Sequence, residues 1–205
     1  YLDTKWDYQT KTYTATLPET VNGQKVFAWA DYSNGELKLE KQKTISHKYD
    51  GESFKELYPI VKAESWLKSN QNWYYQKQGQ LVQKDWVYDK GTWYFMNDKG
   101  VMFNQTWLYQ GGNWYAFKSS GGMIASDWFY DQGKWYYLST SGAMKASTWV
   151  YDKGEWYYVS SSGAMLANDW VKDNGKWYYL ASSGKMLRNT YTPDGYYVGN
   201  SGVWQ

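Results

Sequence analysis

From Trp66 to the end of the chain, large apolar side chains alternate with polar and glycine-containing stretches at a nearly constant interval. Trp66, Trp86, Trp107, Trp128, Trp149, Trp170 and Tyr191 open successive units, 20 residues apart at the first step and 21 at every later one. Each unit carries a second aromatic run: Trp73-Tyr74-Tyr75, Trp93-Tyr94-Phe95, Trp114-Tyr115-Ala116, Trp135-Tyr136-Tyr137, Trp156-Tyr157-Tyr158, Trp177-Tyr178-Tyr179 and a shortened Tyr196-Tyr197. A third landmark follows in the same register, at Gly100-Val101-Met102, Gly121-Gly122-Met123, Gly142-Ala143-Met144, Gly163-Ala164-Met165 and Gly184-Lys185-Met186, with Leu81 and Trp204 in the Met place at the two ends. A period of this length marks a repeat architecture, in which no unit buries its apolar face alone and neighbours must stack.

Within a unit, Trp135-Tyr-Tyr-Leu138 predicts a short strand, Ser139-Thr-Ser-Gly142 a turn with glycine where a positive φ is wanted, and Ala143-Met-Lys-Ala146 a returning strand. A lone two-stranded hairpin is marginal in water, so the expected fold is all-β, a solenoid of β-hairpins. Alternation along the strand puts the hairpin Trp and the residue two later on one face and the middle Tyr on the other. Residues 1–65 do not obey the period, although Asn22-Gly23 and Ser33-Asn34-Gly35-Glu36-Leu37 look like hairpin turns. They are expected to form a small, β-containing N-terminal cap. Two alternatives stay open: an interaction region with its own role, or degenerate repeats, which Tyr49-Asp50-Gly51 and Phe54 fit loosely.

Composition sharpens this picture. Among 205 residues there are 15 Trp, 23 Tyr and 6 Phe, so aromatics make up 21% of the chain and stand in for a conventional aliphatic core. Large π-faces with Met at every step suggest cages for quaternary ammonium ions, which cation–π attraction holds at roughly 0.5 to 2 kcal/mol per ring. A formal charge of +2 is too small for a nucleic-acid footprint. The absence of Cys removes disulfides, thiolate metal sites and a Cys nucleophile. No run approaches the roughly 18 to 20 apolar residues that span a bilayer. His47 is the only histidine and reads as a surface residue, and Glu52, Glu56 and Glu64 are poor candidates for a glycosidase carboxylate pair in so short a segment, so no enzyme is expected and no metal or cofactor.

The run Trp128-Phe-Tyr-Asp-Gln-Gly-Lys-Trp135-Tyr-Tyr137 with Ser141-Gly-Ala-Met144 resembles the choline-binding repeat of streptococcal choline-binding proteins and phage lysins. The tail Tyr191-Thr-Pro-Asp-Gly-Tyr-Tyr197 with Ser201-Gly-Val-Trp204 resembles that family's closing repeat. The resemblance covers residues 66–205, about seven repeats of 20–21 residues. It implies a left-handed superhelix in which choline sits between consecutive repeats, boxed by two Trp of one and an aromatic of the next, with Met nearby.

Carried over by position, the resemblance implies boxes of Trp86, Trp93 and Tyr115; of Trp107, Trp114 and Tyr136; of Trp128, Trp135 and Tyr157; of Trp149, Trp156 and Tyr178; and of Trp170, Trp177 and Tyr196. Met102, Met123, Met144, Met165 and Met186 belong with them. The third wall is either the middle Tyr or the residue beside it. A set from Trp66, Trp73 and Tyr94 stands apart, because its unit has Gln71-Asn72 where Gly is usual and Leu81 for Met; Ala116 is a second departure. Lys90, Lys134, Lys153 and Lys176 lie near the hairpin Trp and read as solvated charges or as contacts to a ligand phosphate.

The implied function is non-catalytic anchoring of an extracellular surface protein to phosphocholine on wall teichoic and lipoteichoic acids of a bacterial cell, with residues 1–65 presented as adhesin or regulator to a host or bacterial protein. The alternatives are the wall-targeting part of a lytic enzyme and a glucan-binding repeat module.

Overall fold

The computed structural model describes residues 4–33, 35–51 and 56–205, and every regular element among them is a β-strand. Asn34 of the proposed turn, and Glu52 and Phe54, lie outside the described residues. The chain divides into two compact units, Tyr1–Phe103 and Asn104–Gln205.

In the first unit, Thr12–Thr16 is the centre of a three-stranded antiparallel sheet with Thr4–Asp7 and Thr44–Lys48 on its sides. Asn22 and Gly23 turn the short hairpin Thr20–Val21/Gln24–Lys25 with φ of 51° and 77°, the left-handed pair that a two-residue β-turn of this type demands. Ala28–Asp31 is buried along its whole length between Lys38–Glu40 and Leu57–Ile60. Ala28, Ala30, Leu37 and Ile60 share one apolar cluster with Tyr74 and Leu67 of the following hairpin. The N-terminal segment is therefore β-containing and covers the first repeat with a small-residue core. Two periodic hairpins complete this unit: Glu64–Ser69/Asn72–Lys77, to which Gln80–Leu81 adds a third strand, and Asp85–Asp89/Thr92–Met96. His47 is half-buried rather than on the surface, because its place in Thr44–Lys48 sets it opposite Tyr13, and its Nε2 is enclosed.

The second unit is a succession of hairpins: Trp107–Gln110/Asn113–Ala116, Asp127–Asp131/Lys134–Leu138, Thr148–Asp152/Glu155–Val159, Asp169–Asp173/Lys176–Leu180 and Thr190–Tyr191/Tyr197–Val198. The partner of the Trp-Tyr-Tyr strand is thus the segment that begins at the opening Trp. The turn between them is Gln132-Gly133, at φ 46° and 82°, and its counterparts. The Ala-Met stretch expected to pair as a strand makes only single bridges such as Leu138↔Met144. Its glycine is used for close approach instead: Gly142 has φ +85°, and a Cβ there would lie 2.5 Å from Met123 Sδ. Successive hairpins are stitched by backbone bonds from Met144 N–H to the Trp114 carbonyl, Met165 to Trp135 and Met186 to Trp156, each 2.8 Å. An apolar column does exist alongside the aromatics. Phe117, Leu138, Val159, Leu180 and Val198, one per hairpin, are fully buried, each just after its aromatic run.

Candidate aromatic binding site

Strand pairing builds the site one ring at a time. Trp128 faces Tyr137 directly across its hairpin and their rings meet edge-on at 5.0 Å, as do Trp149 and Tyr158 at 5.1 Å and Trp170 and Tyr179 at 5.2 Å. The hairpin Trp stands diagonally to the opening Trp. Its ring is perpendicular to it, at 6.3 Å for Trp107–Trp114 (87°) and for Trp149–Trp156 (89°). The middle Tyr, on the opposite face of its own strand, reaches the opening Trp of the unit before: Tyr136 lies 5.1 Å from Trp107, Tyr157 5.2 Å from Trp128, Tyr178 5.0 Å from Trp149 and Tyr196 5.9 Å from Trp170. The tyrosine that reaches the opening Trp from the following unit is therefore the middle one; the residue beside it packs on its own opening Trp.

In the second unit the structure brings together Trp107 with Trp114 and Tyr136, Trp149 with Trp156 and Tyr178, and Trp170 with Trp177 and Tyr196. Trp128 has Tyr157 against it, and Trp135 stands across the same hairpin. In the first unit Trp86 and Trp93 are 6.2 Å apart at 88°, while Tyr115, the third residue of that set, lies on Asn113–Ala116 of the second unit. The set from Trp66, Trp73 and Tyr94 has the same ring geometry as the others despite its departures in sequence, at 6.4 Å and 4.9 Å from Trp66. Met102 donates its backbone N–H to the Trp73 carbonyl, as Met144, Met165 and Met186 do to Trp114, Trp135 and Trp156. Each of these methionines therefore reaches the hairpin Trp of the preceding unit. Met123 packs its sulfur against Gly142.

Three features were not anticipated. The first is a carboxylate behind five of the six opening indoles: Trp66 Nε1 donates to Asp89 at 3.0 Å, Trp107 to Asp131 at 3.1 Å, Trp128 to Asp152 at 3.2 Å, Trp149 to Asp173 at 3.1 Å and Trp170 to Asp194 at 2.8 Å, whereas the corresponding place for Trp86 holds Gln110. The signal was in the period, since each Asp sits three residues after the next opening aromatic. The second is Trp204, which donates its backbone N–H to the Trp177 carbonyl and lines a cleft of about 480 Å³ with Asp169, Trp170, Trp177 and Tyr196. The third is Phe129. Ala116 leaves Trp107 without a cross-strand ring, and Phe129, from the next hairpin, fills that place at 5.1 Å.

The electrostatics suit a cation. The rings present π-faces, the hairpin Trp are 38–44% exposed, and the indoles of Trp66, Trp107, Trp128, Trp149 and Trp170 turn their N–H toward a carboxylate. Burial, with the carboxylates of Asp152 and Asp127, raises the Tyr137 phenol above its ordinary pKa. The Thr192 hydroxyl, and then the Trp170 indole, hold Asp194 below the usual carboxylate value. Lys90 and Lys153 occupy left-handed turn positions at the hairpin tips, and Lys134 and Lys176 follow those turns opposite Asp131 and Asp173. Among the described residues no group of three metal-ligating side chains occurs. Glu56 and Glu64 accept hydrogen bonds from the Tyr58 and Tyr75 hydroxyls, at 3.0 and 3.1 Å.

Residues 164–204 match the family model described as "Choline-binding repeat", and residues 84–102, 105–123, 126–144 and 147–165 match the one described as "Putative cell wall binding repeat". Together the matches take in more than half of the chain. Choline binding protein F from Streptococcus pneumoniae is 30% identical over 86% of this chain and 69% of that one, with a TM-score of 0.45. The choline-binding domain of CbpL from the same organism is 30% identical over 68% of this chain and 96% of that one, with a TM-score of 0.33. The modular autolysin LytC from Streptococcus pneumoniae is 26% identical over 70% of this chain and 42% of that one, with a TM-score of 0.32. The comparison with curated proteins finds no match.

Proposed function

Because this chain belongs to the family of choline-binding repeat proteins, whose repeats bind choline and the cell wall, we propose that its aromatic corners each take one quaternary ammonium group. The protein is thereby held outside the cell, on the choline-bearing teichoic and lipoteichoic acids of a bacterial wall. The repetition of one three-ring geometry at a 21-residue step carries this reading. A cation among three rings gains a few kcal/mol at about 0.5 to 2 per ring. Since about −4 kcal/mol corresponds to 1 mM, a single corner is a weak anchor. Several corners facing a polymer that displays the same group many times convert that into firm retention by effective concentration. On this reading residues 66–205 are the anchoring module of about seven repeats, non-catalytic, and 1–65 are a cap that also presents an adhesive or regulatory surface to a protein partner.

The test is a thermal melt with increasing choline, against tetramethylammonium and dextran. Choline and tetramethylammonium raise Tm by binding only the folded chain, and dextran does not. A shift with dextran alone moves the protein to glucan binding. Trp135→Ala lowers choline affinity more than Tyr137→Ala, since Trp135 is an exposed wall and Tyr137 packs behind Trp128. A folded Trp135→Ala protein with unchanged affinity refutes the assignment. A second reading, the wall-targeting part of a lytic enzyme, is favoured by the likeness to LytC, of which this chain spans less than half. A catalytic domain encoded next to these residues would establish it.

A further inference from the structure

The hairpin Trp has two neighbours across its strand pair, and only one of them belongs to the corner. The other is the residue directly opposite it. In four units that residue is a tyrosine: Tyr88, Tyr109, Tyr130 and Tyr151, each 56–60% exposed and tilted against its Trp at 4.8 to 5.0 Å. In the units opened by Trp66 and Trp170 it is a lysine. Lys68 Nζ stands over the Trp73 ring at 5.3 Å, and Lys172 Nζ over the Trp177 ring at 5.6 Å. A neutral ring is thus replaced by a fixed positive charge in two units, with the same geometry in each.

We propose that Lys68 and Lys172 set the ligand preference of their corners, turning them from sites for a bare quaternary ammonium into sites for the zwitterionic phosphocholine group, with the ammonium among the rings and the phosphate toward the lysine. This rests on the proposed function above. The charge on the ring repels a second cation brought to the same indole, which disfavours choline alone. An anionic oxygen attached close to that cation removes the repulsion and gains an ion pair. Trp177 is 38% exposed, and the flexible lysine stem can bring the ammonium past the indole to a phosphate leaving the corner. The cleft at Trp177 has the room, at about 480 Å³ between Trp170, Trp177, Tyr196 and Trp204. In the tyrosine-backed corners a neutral ring, not a lysine, stands directly opposite the hairpin Trp, so they discriminate less between the two ligands.

The full chain, labelled with nitrogen-15 at its indoles, is titrated in low salt with choline and separately with phosphocholine, following the Trp177 and Trp156 N–H signals. The ratio of phosphocholine to choline affinity is expected to be about two- to fivefold higher at Trp177 than at Trp156, the size of an exposed ion pair. Lys172→Met abolishes the difference, 0.5 M salt compresses it, and Tyr151→Lys creates it at Trp156. Equal ratios at both indoles in the unaltered protein, or a ratio at Trp177 unmoved by Lys172→Met, overturn the proposal. Indoles that respond to neither choline nor tetramethylammonium overturn the quaternary-ammonium reading itself, and this proposal with it.

Discussion

An indole N–H aimed at a carboxylate cannot rotate away without breaking that bond, so the aspartates behind Trp66, Trp107, Trp128, Trp149 and Trp170 hold those rings in place. Asp152→Ala removes the acceptor of Trp128 and is expected to lower stability by about 1 kcal/mol and weaken choline binding, whereas Asp152→Asn keeps an acceptor and most of both. Paired melts and choline titrations check this. Asp194 adds a pH signature. Its carboxyl is lowered from 3.8 by the Thr192 hydroxyl and the Trp170 indole, so this stabilisation is complete above the ordinary aspartate range and is lost only as the pH falls through the lowered value. The Trp170 indole signal should hold its position through the ordinary aspartate range and move only at lower pH, and Asp194→Asn should flatten that response. Ala116 and Phe129 form a compensated pair around Trp107. Ala116→Tyr overpacks by about 1 to 3 kcal/mol, Phe129→Val leaves a gap, and the double change recreates the arrangement at Trp128, Tyr137 and Val150. A double mutant no better than the sum of the singles would refute the pairing.

At the scale of the hairpin, two glycines per unit do different work. Gly133 serves the turn and has open space around it, while Gly142 carries both φ +85° and the Met123 sulfur. Gly142→Ala is therefore expected to cost more than about 1 kcal/mol and to loosen the stack there. Chemical denaturation of the full chain, with Met123→Ala as partial rescue, measures it. The period and the all-β repeat fold were legible in the sequence because a 21-residue repeat shows which positions tolerate change, whereas the ring sets of Trp107, Trp128, Trp149 and Trp170 came from the family resemblance and not from the period. The pairing of strands was less legible. Trp-Tyr-Tyr-Leu is flanked by a glycine on both sides, and propensity cannot say which one closes the hairpin; the run Asp127–Asp131 wins because its register puts Trp128 on Tyr137 and Tyr130 on Trp135. The buried column of Phe117, Leu138, Val159, Leu180 and Val198 was hidden by the louder aromatic signal beside it. Lys172 over Trp177 was invisible for another reason: cross-strand neighbours appear only once the register is known.

The molecule as a whole carries little net charge, so on the proposed function retention on a polymer depends on the number of corners more than on a long-range field. Repeat stability is close to a sum of unit and neighbour contributions. Removing residues 127–147, one full period, joins Ser126 to Thr148 with every register kept, and the product should fold with a modestly lower Tm and weaker polymer binding. Removing 127–137 breaks the register and should abolish the cooperative melt. Circular dichroism melts with a phosphocholine-polymer pull-down separate the two. Because the middle Tyr comes from the following hairpin, no unit owns a corner; a corner exists only at a junction. A gene that gains one copy of the unit by unequal recombination gains one corner at the new junction without inventing any, and a protease that cuts between two hairpins divides one corner. The number of corners can therefore change by whole steps, through copying and cutting.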